Sequence, residues 1–107
     1  MNLESFLEQE QYVPSTVEIE RRKRIKIALC AYAYEFEDDP IVDDGTFDEL
    51  ASQIDKSVVT GNDLLDKFFK DKFEDCTGQW IHQHPELDKL RVLYGRYKNN
   101  FRSQRRS

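Results

Sequence analysis

The chain has 107 residues, of which 38% are hydrophobic and 35% charged, and its formal net charge is −5. This size predicts one domain that buries roughly 65% of its unfolded surface, and the aromatic content argues against low-complexity disorder. No stretch approaches the ~20 apolar residues of a membrane span, and the start lacks the pattern of a secretory signal; both observations predict a cytoplasmic protein without a membrane partner.

The charges fall into blocks of one sign. Residues 1–20 hold five acids and no base, and residues 21–26 hold five bases. Residues 35–55 hold nine acids and no base, and residues 89–106 hold seven bases. Two interpretations stay open, since the blocks either polarise the surface or neutralise one another in the fold. The acidic total argues against broad nucleic-acid binding.

A long helix is the main predicted element of the first half. Residues 1–14 are expected to form a short helix and a lead-in segment. Ser15 and Glu18 then have the S-x-x-E spacing of a capping box, which predicts a helix over about 16–37. The stretch "IKIALCAYAYEFE" also alternates as a strand does, but the cap, the alanines and the length favour a helix.

Apolar residues occur on two sides of this predicted helix. The face expected to be the main buried stripe has a four-three-four spacing and comprises Ile25, Leu29, Tyr32 and Phe36. The nearly opposite face comprises Ile27, Ala31 and Tyr34. A helix that is apolar on two sides is usually central. Tyr34 is therefore expected either to pack against a second element or to line a cleft.

A proline turn is predicted to connect this helix to a shorter one. Pro40 disfavours the α conformation at the residue before it and so ends the long helix. Asp43 or Asp44 can cap the next helix, over about 45–55. Its predicted buried stripe is Phe47, Leu50, Ala51 and Ile54. Asp48 falls outside that stripe.

Two more helices are predicted over residues 62–101. Asn62 is a suitable cap for a helix near 62–73, whose expected core face is Leu64, Leu65, Phe68 and Phe69. Pro85 suits the first turn of a last helix, with a seam of Leu87, Leu90, Tyr94, Tyr97 and Phe101 that docks on the core or on a partner. The basic tail, 102–107, is expected to fray.

The predicted fold is therefore all-α. Residues 1–107 are expected to form a single compact domain of four to five helices, with a central helix-turn-helix over about 16–37 and 45–55. The pattern does not distinguish a monomer from a homodimer.

Tests for metal and catalytic motifs are negative. Placing Gly45 at the glycine of an EF-hand loop puts Pro40 and Val42 where oxygen ligands belong. His82 and His84 have no further ligands at a recognised spacing, and two distant cysteines, Cys30 and Cys76, fit reduced packing thiols. No metal site and no catalytic residue are predicted.

The stretch "YAYEFEDDPIVDDGTFDEL" resembles the N-terminal Ia domain of NAD-dependent DNA ligases, whose pattern runs roughly Y-x-Y-H, a few residues, Pro, then D-A-E-Y-D. The match covers about residues 25–55 and implies a ligase-like helical pair over 15–55. In that family the pair recognises the nicotinamide mononucleotide half of NAD. The resemblance implies a ligand-binding set of Tyr34, Glu35, Asp44, Phe47 and Asp48.

Two of these positions depart from the family. Glu35 stands where the family has histidine, and Phe47 stands where it has tyrosine. The chain also lacks the adenylation lysine, since Val42 occupies that place before "DDG", and it lacks the other ligase domains. The resemblance therefore implies no enzyme and no required cofactor, with nicotinamide mononucleotide or NAD as a possible ligand.

The second half of the chain is similar to small stand-alone ligase-like proteins of bacteriophages and prophages, which implies a bacterial host. Three functions follow as hypotheses. The favoured one is an interaction module that binds a host protein of replication, repair or defence. The first alternative is a nicotinamide mononucleotide or NAD-binding module. The second is nucleic-acid binding through a basic segment, whose residues are Arg21, Arg22, Lys23, Arg24 and Lys26.

Overall fold

The computed structural model describes the backbone of residues 15–105 and the side chains of residues 15–99. The helix predicted within residues 1–14 lies outside the described residues. Within 15–105 all regular structure is helical, which confirms the all-α prediction. The elements are α1 (Thr16–Glu37), α2 (Asp44–Ser52), α3 (Asp63–Asp71), a 3-10 turn (Gln79–Gln83) and α4 (Leu87–Arg105).

Helix α1 has the predicted bounds, and both ends are capped. The Ser15 Oγ accepts a hydrogen bond from the Glu18 backbone N–H at 3.1 Å. The Glu18 carboxylate does not complete the capping box; it accepts from Arg22 Nε at 3.2 Å. At the other end Asp38 adopts the left-handed conformation with φ 51°, a common way for a helix to stop. The strand interpretation of this segment is therefore wrong.

Helices α2 and α3 also begin at side-chain caps. Of the two candidates, Asp43 caps α2, since its Oδ1 accepts from the Thr46 N–H at 2.7 Å. Asn62 caps α3 as predicted. Helix α2 ends three residues earlier than predicted because α1 binds the backbone of Asp55. Its N–H donates to Glu20 Oε2 at 3.0 Å, and its carbonyl accepts from Arg24 Nη2 at 2.9 Å.

The core lies where α1 packs against α2, α4 and the 3-10 turn. Its largest fully buried side chains are Phe69, Ile27 and Ile81. Rings from α3 and the following turn complete it, with Phe73 and Trp80 at a centroid distance of 4.9 Å.

The predicted main stripe of α1 needs correction. Ile25 is 52% exposed and Phe36 is 43% exposed, whereas Ile27 and Ala31 are fully buried. Leu64, predicted on the core face of α3, is also exposed. The face of α1 that the protein buries contains two charged residues, Glu20 and Arg24, which a search for apolar spacing does not detect.

The last helix is longer than predicted. Helix α4 starts at Leu87 and continues to Arg105, so the first four residues of the predicted tail are helical. Leu90 is buried, and Leu87 and Tyr94 pack against the core. The seam of α4 therefore docks on the core of its own domain over this part.

Candidate ligand-binding cleft

A cleft of about 390 Å³ opens at the turn between α1 and α2. Its walls come from the second half of α1, the Pro40 turn, the first half of α2 and the loop at residues 76–79. All five residues of the ligand-binding set implied by sequence line it, namely Tyr34, Glu35, Asp44, Phe47 and Asp48. The proline turn brings together side chains that are separated by about ten positions in the chain.

Contacts with α4 hold this turn in place. Asp39 Oδ2 accepts a hydrogen bond from Tyr94 Oη at 2.6 Å and from Lys98 Nζ at 3.0 Å. These two donors lower the pKa of the Asp39 carboxyl, with the Tyr94 bond the larger cause. The same bond, with burial, raises the pKa of Tyr94 to about 12. The turn that shapes the cleft is thus fixed to the last helix.

Two aromatic rings line the cleft in different ways. Tyr34 is 55% exposed, so much of its ring is available for contact. Phe47 is half-buried and packs against the core cluster. Tyr34 therefore offers a stacking surface, while Phe47 mainly forms the floor.

The carboxylates at the cap and in the first half of α2 have different roles. Asp43 is engaged as the helix cap, and the hydrogen bond from the Thr46 backbone lowers its pKa. Asp44 and Asp48 are exposed, line the cleft and lie four residues apart, which places them on one side of the helix. They give the cleft a negative face that can accept hydrogen bonds or pair with a cation.

Glu35 is bound by residues far away in sequence. Its Oε1 accepts from Gln79 Nε2 at 3.2 Å and lies 2.8 Å from His82 Nε2. The His82 ring also packs against Phe36, with centroids 4.7 Å apart. Neither partner was predicted from the sequence; the available signal was the imidazole that "WIHQH" supplies.

Both cysteines line the same cleft as free thiols, Cys30 buried and Cys76 exposed. Burial raises the pKa of the Cys30 thiol, and the nearby Lys26 charge partly opposes this. A buried thiol with a raised pKa is a poor nucleophile. Among the described residues no group of three or more His, Cys, Asp or Glu side chains is placed to hold a metal ion.

The basic segment of α1 does not form a continuous cationic surface. Arg24 is only 5% exposed and binds the carboxylates of Glu20 and Asp66. Arg22 pairs with Glu18, and Arg21 donates to the Thr60 carbonyl. Arg24 is therefore corrected from a nucleic-acid contact to a structural residue. Its burial interrupts the basic segment between Lys23 and Lys26.

The chain has no significant match to a known protein-family model, to a curated protein or to a solved structure. The ligase resemblance therefore stays a prediction from the residues that carry it. No helix in residues 15–105 is long and apolar enough to cross a membrane. The fold and the cleft define an all-helical protein with an acidic, aromatic ligand-sized concavity.

Proposed function

We propose that the protein is a non-catalytic binding module whose cleft receives nicotinamide mononucleotide or the matching half of NAD. One observation carries the proposal. The five residues that the resemblance implies for this ligand all line one cleft, although they come from two helices. The volume of about 390 Å³ lies within the roughly 300–1,000 Å³ range of small-molecule sites.

The chemistry of the cleft suits the nicotinamide end of the ligand. Its ring is a pyridinium cation, which stacks favourably on an exposed phenol ring such as Tyr34. Asp44 and Asp48 supply carboxylates for the positive charge of the ring and for ribose hydroxyls. The departure at Glu35 is moderated because Gln79 and His82 already bind its carboxylate.

No reaction is proposed for this site. The residues that line the cleft include no lysine, and Val42 lies in the place of the adenylation nucleophile. Without an amine nucleophile no covalent adenylate forms. Binding is thus the proposed activity, with the nucleotide leaving unchanged.

The test is a titration of the isotope-labelled protein with nicotinamide mononucleotide, followed by NMR. We expect saturable shifts at Tyr34 and Asp48 and slower alkylation of the exposed Cys76 thiol. The Asp48→Asn variant should bind about tenfold more weakly, because it loses a charged hydrogen-bond acceptor. Its matched control is Glu49→Gln, the next carboxylate of α2, which is exposed and does not line the cleft.

The result that overturns the proposal is equally specific. The proposal is overturned if no NMR shifts occur at Tyr34 and Asp48 at millimolar ligand. An equal loss of affinity in Asp48→Asn and Glu49→Gln also overturns it, because the effect would then come from the overall charge of α2 and not from the cleft.

A second candidate is a protein partner that binds the acidic face around the cleft. The observation in its favour is that two large rings of α1, Tyr34 and Phe36, are 55% and 43% exposed beside the acidic run of residues 35–39. Exposed aromatic residues are enriched in protein interfaces. The favoured sequence hypothesis, a host-protein partner, would use this surface.

The partner hypothesis is tested by affinity capture from a bacterial lysate. The triple variant Asp43→Asn, Asp44→Asn and Asp48→Asn removes three charges, and asparagine at 43 still caps α2. We expect this variant to lose a partner that both wild type and Glu49→Gln retain. Equal recovery by the triple variant counts against the acidic face.

A further inference from the structure

A second and larger cavity, of about 670 Å³, lies between α1, α3 and α4. It shares no lining residue with the cleft at the proline turn. Apolar side chains form much of its wall, including Ile25, Leu65, Phe69 and Leu93. Ile25 is 52% exposed here, so the cavity holds apolar surface that the core does not use. Such surface favours an apolar ligand body.

The charges that line this cavity have a positive excess. Glu86 pairs with Lys89 at 2.6 Å, and Asp88 lies 3.6 Å from Arg91, so each acid of the wall has a basic neighbour. Arg96 also lines the cavity, is exposed, and forms no hydrogen bond or ion pair with another side chain of residues 15–99. The guanidinium of Arg96 is therefore available to an anionic ligand.

A histidine adds a neutral donor to the same wall. His84 Nδ1 accepts a hydrogen bond from the Glu86 backbone N–H at 3.0 Å, so the neutral ring carries its proton on Nε2. Every buried side-chain nitrogen or oxygen in the described part of the chain has a partner. Among these residues no group accepts a hydrogen bond from Nε2, and the His84 ring lines the cavity.

We propose that this cavity binds a medium-chain aliphatic carboxylate. The chain of the ligand would lie against Ile25, Leu65 and Leu93, and its carboxylate would accept hydrogen bonds from Arg96 and from His84 Nε2. A neutral alcohol of the same length keeps the apolar contacts but loses the charge-assisted bonds. An acid with two fewer methylenes keeps the charge but loses apolar burial, which corresponds to roughly tenfold in affinity.

The test is calorimetric titration of the full chain with decanoate, octanoate and decanol, with binding mapped by NMR. We expect saturable decanoate binding with shifts at Ile25, Leu93 and Arg96. Octanoate should bind about tenfold more weakly. Decanol should bind several-fold more weakly than decanoate. Shifts confined to Tyr34 and Asp48 would place the ligand in the other cleft and overturn the proposal without bearing on nucleotide binding.

One matched pair of variants tests the apolar contact with the ligand, and a second pair tests the charged contact. Ile25→Asp should abolish binding, whereas Ile19→Asp, on the same helix, 42% exposed and outside the cavity, should not. Arg96→Gln should weaken decanoate binding about tenfold and leave decanol binding unchanged, while Lys67→Gln, at an exposed position of α3 outside the cavity wall, leaves both unchanged.

Folding of each variant is checked by circular dichroism. If Ile25→Asp unfolds, the conservative Arg96→Gln comparison alone decides the proposal. No saturable decanoate binding at millimolar concentration, equal affinity for decanoate and decanol, or equal effects within either pair of variants overturns it.

Discussion

Arg24 is a charged residue of α1 that the fold buries to 5% exposure. Its Nε donates to Glu20 Oε2 at 2.9 Å and its Nη1 to Asp66 Oδ1 at 2.8 Å. Its Nη2 donates to the carbonyls of Asp55 and Val58. Burial raises the pKa of Asp66, but hydrogen bonds from Thr60 and Arg24 outweigh this, so that its pKa is below the usual value. The guanidinium thus joins α1, the 55–60 loop and α3.

We expect Arg24→Met to lose about 3–5 kcal/mol of unfolding free energy, because the buried Glu20 carboxylate and the partly buried Asp66 carboxylate would be left without their cation. Urea denaturation at neutral pH measures this loss. Arg22→Met is the matched control, since Arg22 pairs with Glu18 on an exposed face of the same helix. That control should lose less than about 1 kcal/mol. Equal losses in the two variants would show that the buried network has no special role.

His84 makes stability depend on pH. Burial lowers its pKa from 6.5 to about 4, against an opposing effect of the Glu86 charge. At pH values between about 4 and 6.5, the His84 ring is therefore mostly protonated in the unfolded chain but mostly neutral in the folded chain. Stability is complete above pH 6.5 and falls as the pH drops toward 4, by up to about 1.4 kcal/mol per pH unit.

Urea titrations at several pH values between 7 and 4.5 measure this slope. His84→Asn keeps an acceptor for the Glu86 N–H but does not titrate, so its stability should vary less over the same range. Carboxylates with a lowered pKa, such as Asp66, change the stability at pH values near and below their ordinary pKa of 3.8. They therefore add little to the slope measured above that value. An unchanged slope in the variant would assign the pH dependence elsewhere.

At the scale of elements, the capped starts of the helices and the end of α1 were predictable, whereas the ends of α2 and α4 and the buried face of α1 were not. Ser15, Asn62 and the Pro40 turn are local signals, because a cap or a proline acts on backbone groups within a few residues. The buried face of α1 depends on neighbours from elsewhere in the chain. It passes through Glu20 and Arg24, whose burial requires Asp66 and the carbonyls of a later loop.

The end of α1 has a conformational cost at Asp38, the one described residue other than glycine with positive φ, at 51°. Glycine adopts this conformation without steric penalty. Asp38→Gly should therefore raise the free energy of unfolding by up to about 1 kcal/mol. The thermal midpoint from circular dichroism is the measurement.

The control for that substitution is Glu49→Gly in the middle of α2, where glycine should cost about 1 kcal/mol. The two glycines are thus expected to act in opposite directions. Destabilisation by Asp38→Gly would mean that the aspartate side chain stabilises the turn more than its backbone conformation costs.

At the scale of the whole molecule, the candidate cleft was predicted in part. The five lining residues that the resemblance implies all lie between Tyr34 and Asp48, within one short stretch of the sequence. The opposite wall was not predicted. Gln79 follows Glu35 by 44 residues and His82 follows it by 47, and their approach depends on the packing of the 3-10 turn against α1.

The aromatic cluster joins α3, the following turn and the 3-10 turn within the core. Phe69 is 1% exposed and contacts rings from α3, the next turn and the 3-10 turn, with Phe73 at 5.5 Å and Trp80 at 5.8 Å. Trp80 is the single tryptophan of the chain, and its Nε1 donates to the Thr77 carbonyl at 2.6 Å. Its fluorescence therefore reports on the centre of the fold.

We expect Trp80 fluorescence and far-UV ellipticity to give the same urea midpoint, as a single cooperative domain requires. Phe69→Ala should lower the free energy of unfolding by about 3–5 kcal/mol through loss of contacts and a cavity, and both probes should shift together. Leu64→Ala, on the same helix but 60% exposed, should lose less than about 1 kcal/mol. Two separate midpoints in the wild type would show that α1 and its helical partners unfold independently of the aromatic cluster.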